Sequence, residues 1–271
     1  MVIIITKEKN HTPDDTYMHY TIYTDVSARK RLKLIIDEIR DFTGNGKANQ
    51  VKILDIGCGL GGMTFPLSSL GYQVVGVDLD SDSIKSCNEK NKFPNAKYLT
   101  EKGEQFNLHE KFDIVICSEV LEHSLHPELI LQTIRNHLKI NGIGIVTVPN
   151  GYCFYEIMFS RFFQRIGLLS YFHRLPSKSY TTLTGSPSPY HSMNVFCNHV
   201  QFFTFNRFKE LLNSCDFTVS TVYNVNLGLF LDWKWLETFR RIECRLADYV
   251  SPEFAGGWVA VIKHKNHTRE G

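Results

Sequence analysis

The sequence contains no run approaching the roughly 18 apolar residues that a membrane-spanning helix needs, and Val2 to Ile5 is too short for the apolar core of a secretory leader. It has no block of five like charges, and 30 Lys plus Arg against 28 Asp plus Glu leave a net charge of only +2. The electrostatic footprint of a nucleic-acid groove is therefore missing. No C-x-x-C pair occurs among Cys58, Cys87, Cys117, Cys153, Cys197, Cys215 and Cys244. Their odd number and mostly apolar surroundings point to reduced thiols rather than a disulfide frame or a zinc knuckle. No grouping of His, Cys, Asp and Glu has metal-ligand spacing, so no metal is expected. There is no internal repeat and no low-complexity tract. What remains, 43% hydrophobic and 21% charged residues, is the composition of an ordinary globular protein. It is expected to be cytoplasmic, at most peripheral to a membrane.

From residue 27 to 149 strand and helix patterns alternate, the signature of βαβ units and a mostly parallel sheet. Ser27 can cap a helix that places Leu32, Ile35, Ile36, Ile39 and Phe42 on one face, and Gly44 can end it. Buried strands are predicted at Val51 to Ile56, Gln73 to Asp78, Lys97 to Leu99 and Phe112 to Cys117. Helices are predicted at about 61 to 70, at 82 to 91 behind a Ser81 cap, and from Pro127, where Asn141-Gly142 closes the last one. Ile143 to Val148 is a fifth strand. After the break described next come a helix near 205 to 214, a strand at Thr218 to Val225, a helical stretch at 232 to 249 and a last strand at Gly257 to His264.

Residues 151 to 203 break this rhythm. They hold 13 of the chain's 34 aromatic residues, and the 28 residues from Ser179 to Asn206 contain no Asp, Glu, Lys or Arg. With Pro176, Gly185, Pro187 and Pro189 the stretch is expected to be an inserted lid. Phe154, Phe159, Phe162, Phe163, Leu168 and Leu169 interleave with Arg161 and Arg165. The segment 152 to 172 thus suits a cover over a greasy acceptor, a peripheral membrane contact, or a helix packed on its own domain. Trp233, Trp235 and Phe239 read as core or subunit contact.

Gly57-Cys58-Gly59-Leu60-Gly61-Gly62 follows a strand and opens a helix, satisfying G-x-G-x-x-G, and Asp78 lies 21 residues after Gly57. That spacing alone admits NAD. Carboxylates change the balance, because Asp55, Glu119 and Glu122 gather at the carboxyl ends of neighbouring strands and would repel a pyrophosphate. A ligand with an ammonium, a sulfonium and a ribose but no phosphate suits such a rim, with Asp78 taking both ribose hydroxyls. S-adenosylmethionine carries this set of groups.

Ile53-Leu54-Asp55-Ile56-Gly57-Cys58-Gly59-Leu60-Gly61, Val75-Gly76-Val77-Asp78 and Phe112-Asp113-Ile114-Val115 running into Ser118-Glu119-Val120-Leu121-Glu122-His123 stand in order along the chain. With Leu138-Lys139-Ile140-Asn141-Gly142 and Val148-Pro149-Asn150, they strongly resemble the class I S-adenosylmethionine-dependent methyltransferases over about 51 to 150. The nearest likeness is to the branch of ubiquinone-biosynthesis O-methyltransferases and enzymes acting on sugars or lipids. The resemblance implies one α/β domain: a cofactor core at 27 to 150, a lid at 151 to 203 and a C-terminal part at 204 to 271. It further implies a Rossmann-like, doubly wound seven-stranded sheet of order 3-2-1-4-5-7-6, its last strand antiparallel and the lid between strands five and six.

Residue by residue, the resemblance places Asp55, Gly57, Cys58 and Gly59 around the methionine part, Asp78 on the ribose and Leu79 beside the adenine. Glu101 or Glu104 faces the adenine amine, and Ser118 and Glu119 lie near the transferable methyl. His199, just before the post-lid helix, is either the base acting on a small-molecule acceptor or an anchor of the lid. His123 is either a second base or a brace beneath the cofactor, and His191 is the weakest candidate. An NAD(P)-linked oxidoreductase and a non-catalytic S-adenosylmethionine-binding protein stay open as alternatives. The sequence fixes neither the acceptor nor the oligomeric state.

Overall fold

The computed structural model describes residues 3–4, 15–44, 46–151, 199–228 and 237–265. Most of the expected lid, including 152 to 172 and His191, lies outside these residues, as do Trp233 and Trp235.

Strand β1 (Ile3–Ile4) leads by way of a short 3-10 turn to helix α1 (Val26–Thr43), and a βαβ series follows. It comprises β2 (Lys52–Ile56), α2 (Thr64–Ser69), β3 (Gln73–Asp78), α3 (Ser81–Lys90), β4 (Ala96–Thr100), β5 (Phe112–Ser118), α4 (Pro127–His137) and β6 (Leu138–Pro149). The described chain resumes at His199 and adds α5 (Phe205–Ser214), β7 (Phe217–Asn224), α6 (Glu237–Leu246) and β8 (Gly257–His264). The sheet runs β4-β3-β2-β5-β6-β8-β7-β1. Its seven main strands therefore stand in the expected 3-2-1-4-5-7-6 order, with β8 antiparallel to both β6 and β7. Two-residue β1 adds a parallel edge to β7 that no periodicity could announce.

Alternation along the central strands divides the core between two faces. Ile53, Ile114, Ile145 and Val259 meet Leu32, Ile35, Ile36 and Ile39 of α1. Their chain neighbours Leu54, Val115, Val146 and Ala260 meet Ile130 and Ile134 of α4 and Phe208 and Leu212 of α5 on the other face. Strands covered on both faces by helices need no polar face, which is why KILDI and FDIVICS read as almost continuous apolar runs. Trp258, fully buried, stacks on Phe208 at 6.1 Å and donates its indole N–H to the carbonyl of Pro252 at 2.8 Å.

Four boundaries differ from the sequence-based expectation. Helix α1 is capped by Asp25 and α3 by Asp80 rather than by Ser27 and Ser81, each carboxylate accepting a first-turn N–H at 3.0 and 3.2 Å. Helix α2 starts at Thr64 rather than near 61, because Gly61 has φ +84° and cannot sit in a right-handed helix. Asn141-Gly142 lies inside β6 instead of closing α4. Gly142 is small there because a Cβ would come within 2.6 Å of the carbonyl of Asp113 on the neighbouring strand.

Candidate active site

The carboxyl ends of β2, β3 and β5 open into a cavity of about 260 Å³. It is lined by Gly57, Asp78, Leu79, Glu101, Glu104, Glu119 and His123, with Ile56, Val77, Val120 and Ile130 as its apolar walls. Strand order reverses here, since β2 is flanked by β3 on one side and β5 on the other, and such a switch point is where open α/β sheets bind ligands.

The glycine loop is built for close approach. Gly57 has φ +74°, and a Cβ on it would lie 2.3 Å from the Val120 methyl. Gly59, at φ +50°, turns its N–H to Asp78 Oδ2 at 2.7 Å, while Asp78 Oδ1 accepts the N–H of Asp80 at 2.9 Å. The Asp78 carboxylate is thereby fixed in orientation, and each oxygen retains a lone pair for a second donor.

Of the residues singled out from sequence, Gly57, Asp78, Leu79, Glu101, Glu119 and His123 line the cavity together, and Glu104 joins them. Glu104 also accepts the Ser124 hydroxyl at 2.9 Å. Asp55, Cys58, Gly59 and Ser118 do not line it. Asp55 is buried beneath the loop, accepting the Thr64 hydroxyl at 2.8 Å, and burial pushes its carboxyl up to about 7. Ser118 is held against the Thr147 hydroxyl at 3.0 Å.

Glu119 occupies a left-handed conformation (φ +57°) that a non-glycine residue adopts only when its surroundings hold it there. Thr147 supplies that hold: its carbonyl and hydroxyl both accept the Glu119 N–H at 3.1 Å, and its hydroxyl donates to Glu119 Oε1 at 2.9 Å. Arg31 of α1 meets the other carboxylate oxygen at 3.1 Å. Burial acts against the Arg31 charge, yet the facing Glu119, helped by Tyr23, Asp25 and Glu122, raises its pKa above the usual value. Tyr23, pushed up to about 12 by burial, packs under the Arg31 guanidinium and against Gly62. The segment before α1 thus closes over the glycine loop, with the Thr21 hydroxyl donating to the Gly62 carbonyl at 2.8 Å.

Tyr23 and Arg31 were missed by sequence reasoning. Arg31 lies in a helix rich in Lys and Arg, where no local signal separates a site-facing cation from a solvated one.

Next to the cavity, His199 and His123 stand edge to face with ring centres 4.9 Å apart. The backbone N–H groups of Val200 and Gln201 both donate to the Glu122 carbonyl, at 2.9 and 3.0 Å, which ties the returning chain to the loop after β5. The Glu122 carboxyl is 1% exposed, and neither of its oxygens has a hydrogen-bond partner among the described residues. Burial, reinforced by the charge of Glu119, pushes it up to about 9. Burial, reinforced by His123, lowers the pKa of His199. Donor atoms of Glu122, His123 and His199 all lie within 4.8 Å of one another, a set that could share a proton or hold a cation. The sequence shows no such ligand spacing because His199 reaches the cluster only through the fold.

A family profile described as a methyltransferase domain matches residues 27–222. The ubiquinone biosynthesis O-methyltransferase of Rickettsia akari is 32% identical over 122 residues, 44% of this chain and 48% of that protein. The enzyme of the same name from Bradyrhizobium diazoefficiens is 36% identical over 103 residues, 37% of this chain and 40% of that protein. The matched stretch spans about half the length of these curated relatives. Among solved structures, an S-adenosylmethionine-dependent methyltransferase from Clostridium acetobutylicum superposes with a TM-score of 0.56 at 13% identity, covering 90% of this chain and 93% of that one. Magnesium protoporphyrin IX methyltransferase from Synechocystis, with S-adenosylhomocysteine bound, gives 0.54 at 13% identity over 88% and 84% of the two chains. At such identities these two neighbours speak for the fold.

Proposed function

The chain belongs to the methyltransferase-domain family, of the class I S-adenosylmethionine-dependent type, and from that premise we propose that it methylates an oxygen of a small acceptor. The observation that carries this reading is the cavity's charge: Asp78, Glu101, Glu104 and Glu119 line it, and no Lys or Arg does among the described residues. A dinucleotide pyrophosphate would be repelled there, whereas a cofactor bearing a sulfonium and an ammonium is attracted. The NAD(P) alternative is disfavoured on the same ground.

When bound, S-adenosylmethionine supplies an activated methyl group. Asp78 is the residue to hold the ribose, its orientation already set by two backbone N–H groups. Gly57 leaves room for the ligand where a side chain would strike Val120. Glu101 and Leu79, in the lining of the same cavity, are the residues to meet the adenine, and Glu119 is the one to meet the methionine amine. Arg31, half-buried behind Glu119, offers a cation for the methionine carboxylate.

Methyl transfer is a direct displacement, so alignment and exclusion of water supply most of the acceleration, on the order of 7 to 11 kcal/mol. His199, with His123 beside it, is the proposed proton acceptor for the acceptor hydroxyl. The segment 151–203 is proposed to cover the acceptor. Its wealth of aromatic residues and its long uncharged stretch support an apolar or aromatic acceptor, as do relatives named for ubiquinone biosynthesis.

Thermal unfolding with S-adenosylmethionine, S-adenosylhomocysteine, NAD and NADP in parallel tests the reading. A ligand at 100 times its dissociation constant adds about 2.7 kcal/mol, a shift of several degrees for a chain of this size. A shift with the sulfur cofactors alone is expected. A shift with NAD or NADP alone would overturn it.

A further inference from the structure

Helix α6 wears its polarity inside out. Arg240, Glu243 and Cys244 face inward and are buried, and Arg240 reaches the Asp25 carboxylate at 3.3 Å and the Ser27 hydroxyl at 3.1 Å. Outward, at i, i+3 and i+7, stand Phe239, Ile242 and Leu246, exposed to 55%, 49% and 50%, and Tyr249 in the next turn is 80% exposed. Helical geometry puts Arg241 and Arg245 on the same outer half, beside Ile242. These two arginines join Arg29, Lys30 and Lys33 of α1 in lining a cavity of about 290 Å³ whose single acidic lining residue among the described residues is Glu237. Lys30, Lys33 and Arg241 have carboxylate neighbours in Asp248, Asp37 and Glu237, so among the described residues five cations against three anions leave an excess of two positive charges beside the apolar row.

We propose that this face of α6 docks on an anionic lipid surface, with Ile242, Leu246 and Tyr249 entering the boundary of the acyl chains while the basic cavity meets lipid phosphates. An exposed apolar row flanked by cations is the pattern of a helix lying in a membrane interface. A second copy of the chain fits less well, because a two-fold contact centred on the row would bring Arg241 and Arg245 of one copy towards those of the other. The inference is independent of the methyltransferase reading.

Sedimentation of the full chain with sucrose-loaded phosphatidylcholine vesicles, with and without phosphatidylglycerol, is the test. Pelleting is expected only with phosphatidylglycerol present and should weaken as salt is raised. Arg245→Gln should lower partitioning about fivefold, the equivalent of about 1 kcal/mol for one cation at an anionic surface. Ile242→Asn with Leu246→Asn should abolish pelleting. Equal pelleting of parent and variants, or equal pelleting on neutral vesicles, would overturn the proposal. So would light scattering that finds a dimer which the double asparagine variant dissociates, since a second copy would then cover the face. If the double variant melts early, Arg245→Gln, whose exposed side chain lies outside the core, decides the question alone.

Discussion

Asp55→Asn should stabilise the protein at pH 8 and leave it unchanged at pH 4. The Asp55 carboxyl is buried, and its desolvation, helped by the charge of Asp78, outweighs the Thr64 hydroxyl bond and holds it at about 7. In the unfolded chain the same group titrates near 3.9, an approximate reference value. Between about pH 4 and about pH 7 the folded chain keeps a proton that the unfolded chain has released, so stability falls as pH rises through that window and is level above it. Three units of displacement correspond to on the order of 4 kcal/mol. At roughly 2–4 °C per kcal/mol for a chain this long, removing the cost is worth about 10 °C at pH 8. Asparagine keeps an oxygen to accept the Thr64 hydroxyl, so the hydrogen bond of 2.8 Å survives the change. Thermal unfolding of parent and variant at pH 4, 6 and 8, followed by circular dichroism, gives the difference with all other carboxylates cancelled. A difference that does not grow with pH, or a variant less stable at pH 8, would refute the reasoning.

Other substitutions probe separate parts of the site. Asp78→Ala removes the acceptor of the Gly59 N–H together with the proposed ribose contact, and calorimetry should find S-adenosylhomocysteine weakened about tenfold or more. Unchanged affinity would take Asp78 out of that role. Arg31→Met leaves Glu119 without its cation, and because the pair is partly solvated the cost should be about 1–2 kcal/mol, read as a fall of a few degrees in unfolding temperature. Gly57→Ala forces a left-handed alanine into the Val120 methyl and should cost at least about 1–2 kcal/mol. Adding Val120→Ala should recover part of that loss, and no recovery would show that the conformation alone is at fault.

The central strands were legible because their burial on both faces demands β-branched and aliphatic residues, as in Ile53-Leu54 and Ile114-Val115-Ile116. The helix starts were less so. Ser27 and Asp25, or Ser81 and Asp80, are both competent caps by composition, and only the backbone geometry chose the aspartates. Asn141-Gly142 resembles a turn in any one-dimensional reading, whereas the adjacent strand makes it a place for close approach. At the site, Gly57, Asp78 and Glu119 could be read because a strand end and its loop are local in sequence. Arg31, Tyr23 and the juxtaposition of His199 with Glu122 arise from segments far apart along the chain, which only the sheet order brings together.

Asn150 and Phe203 lie far apart along the chain but pair in the fold, and the Gly151 N–H donates to the Phe203 carbonyl at 3.1 Å. Asn150 is clamped further by the carbonyls of Glu253 and Ala255, and Phe203 is buried in the core. Both ends of the stretch between them are therefore stitched to the scaffold at one point, and the cost of closing such a stretch grows only with the logarithm of its length. A stretch with such a neck can be lengthened, shortened or exchanged while the sheet and the glycine loop keep their shape. If that stretch covers the acceptor as proposed, acceptor preference is free to drift as an interchangeable fitting, at little expense to the machinery that handles the methyl donor.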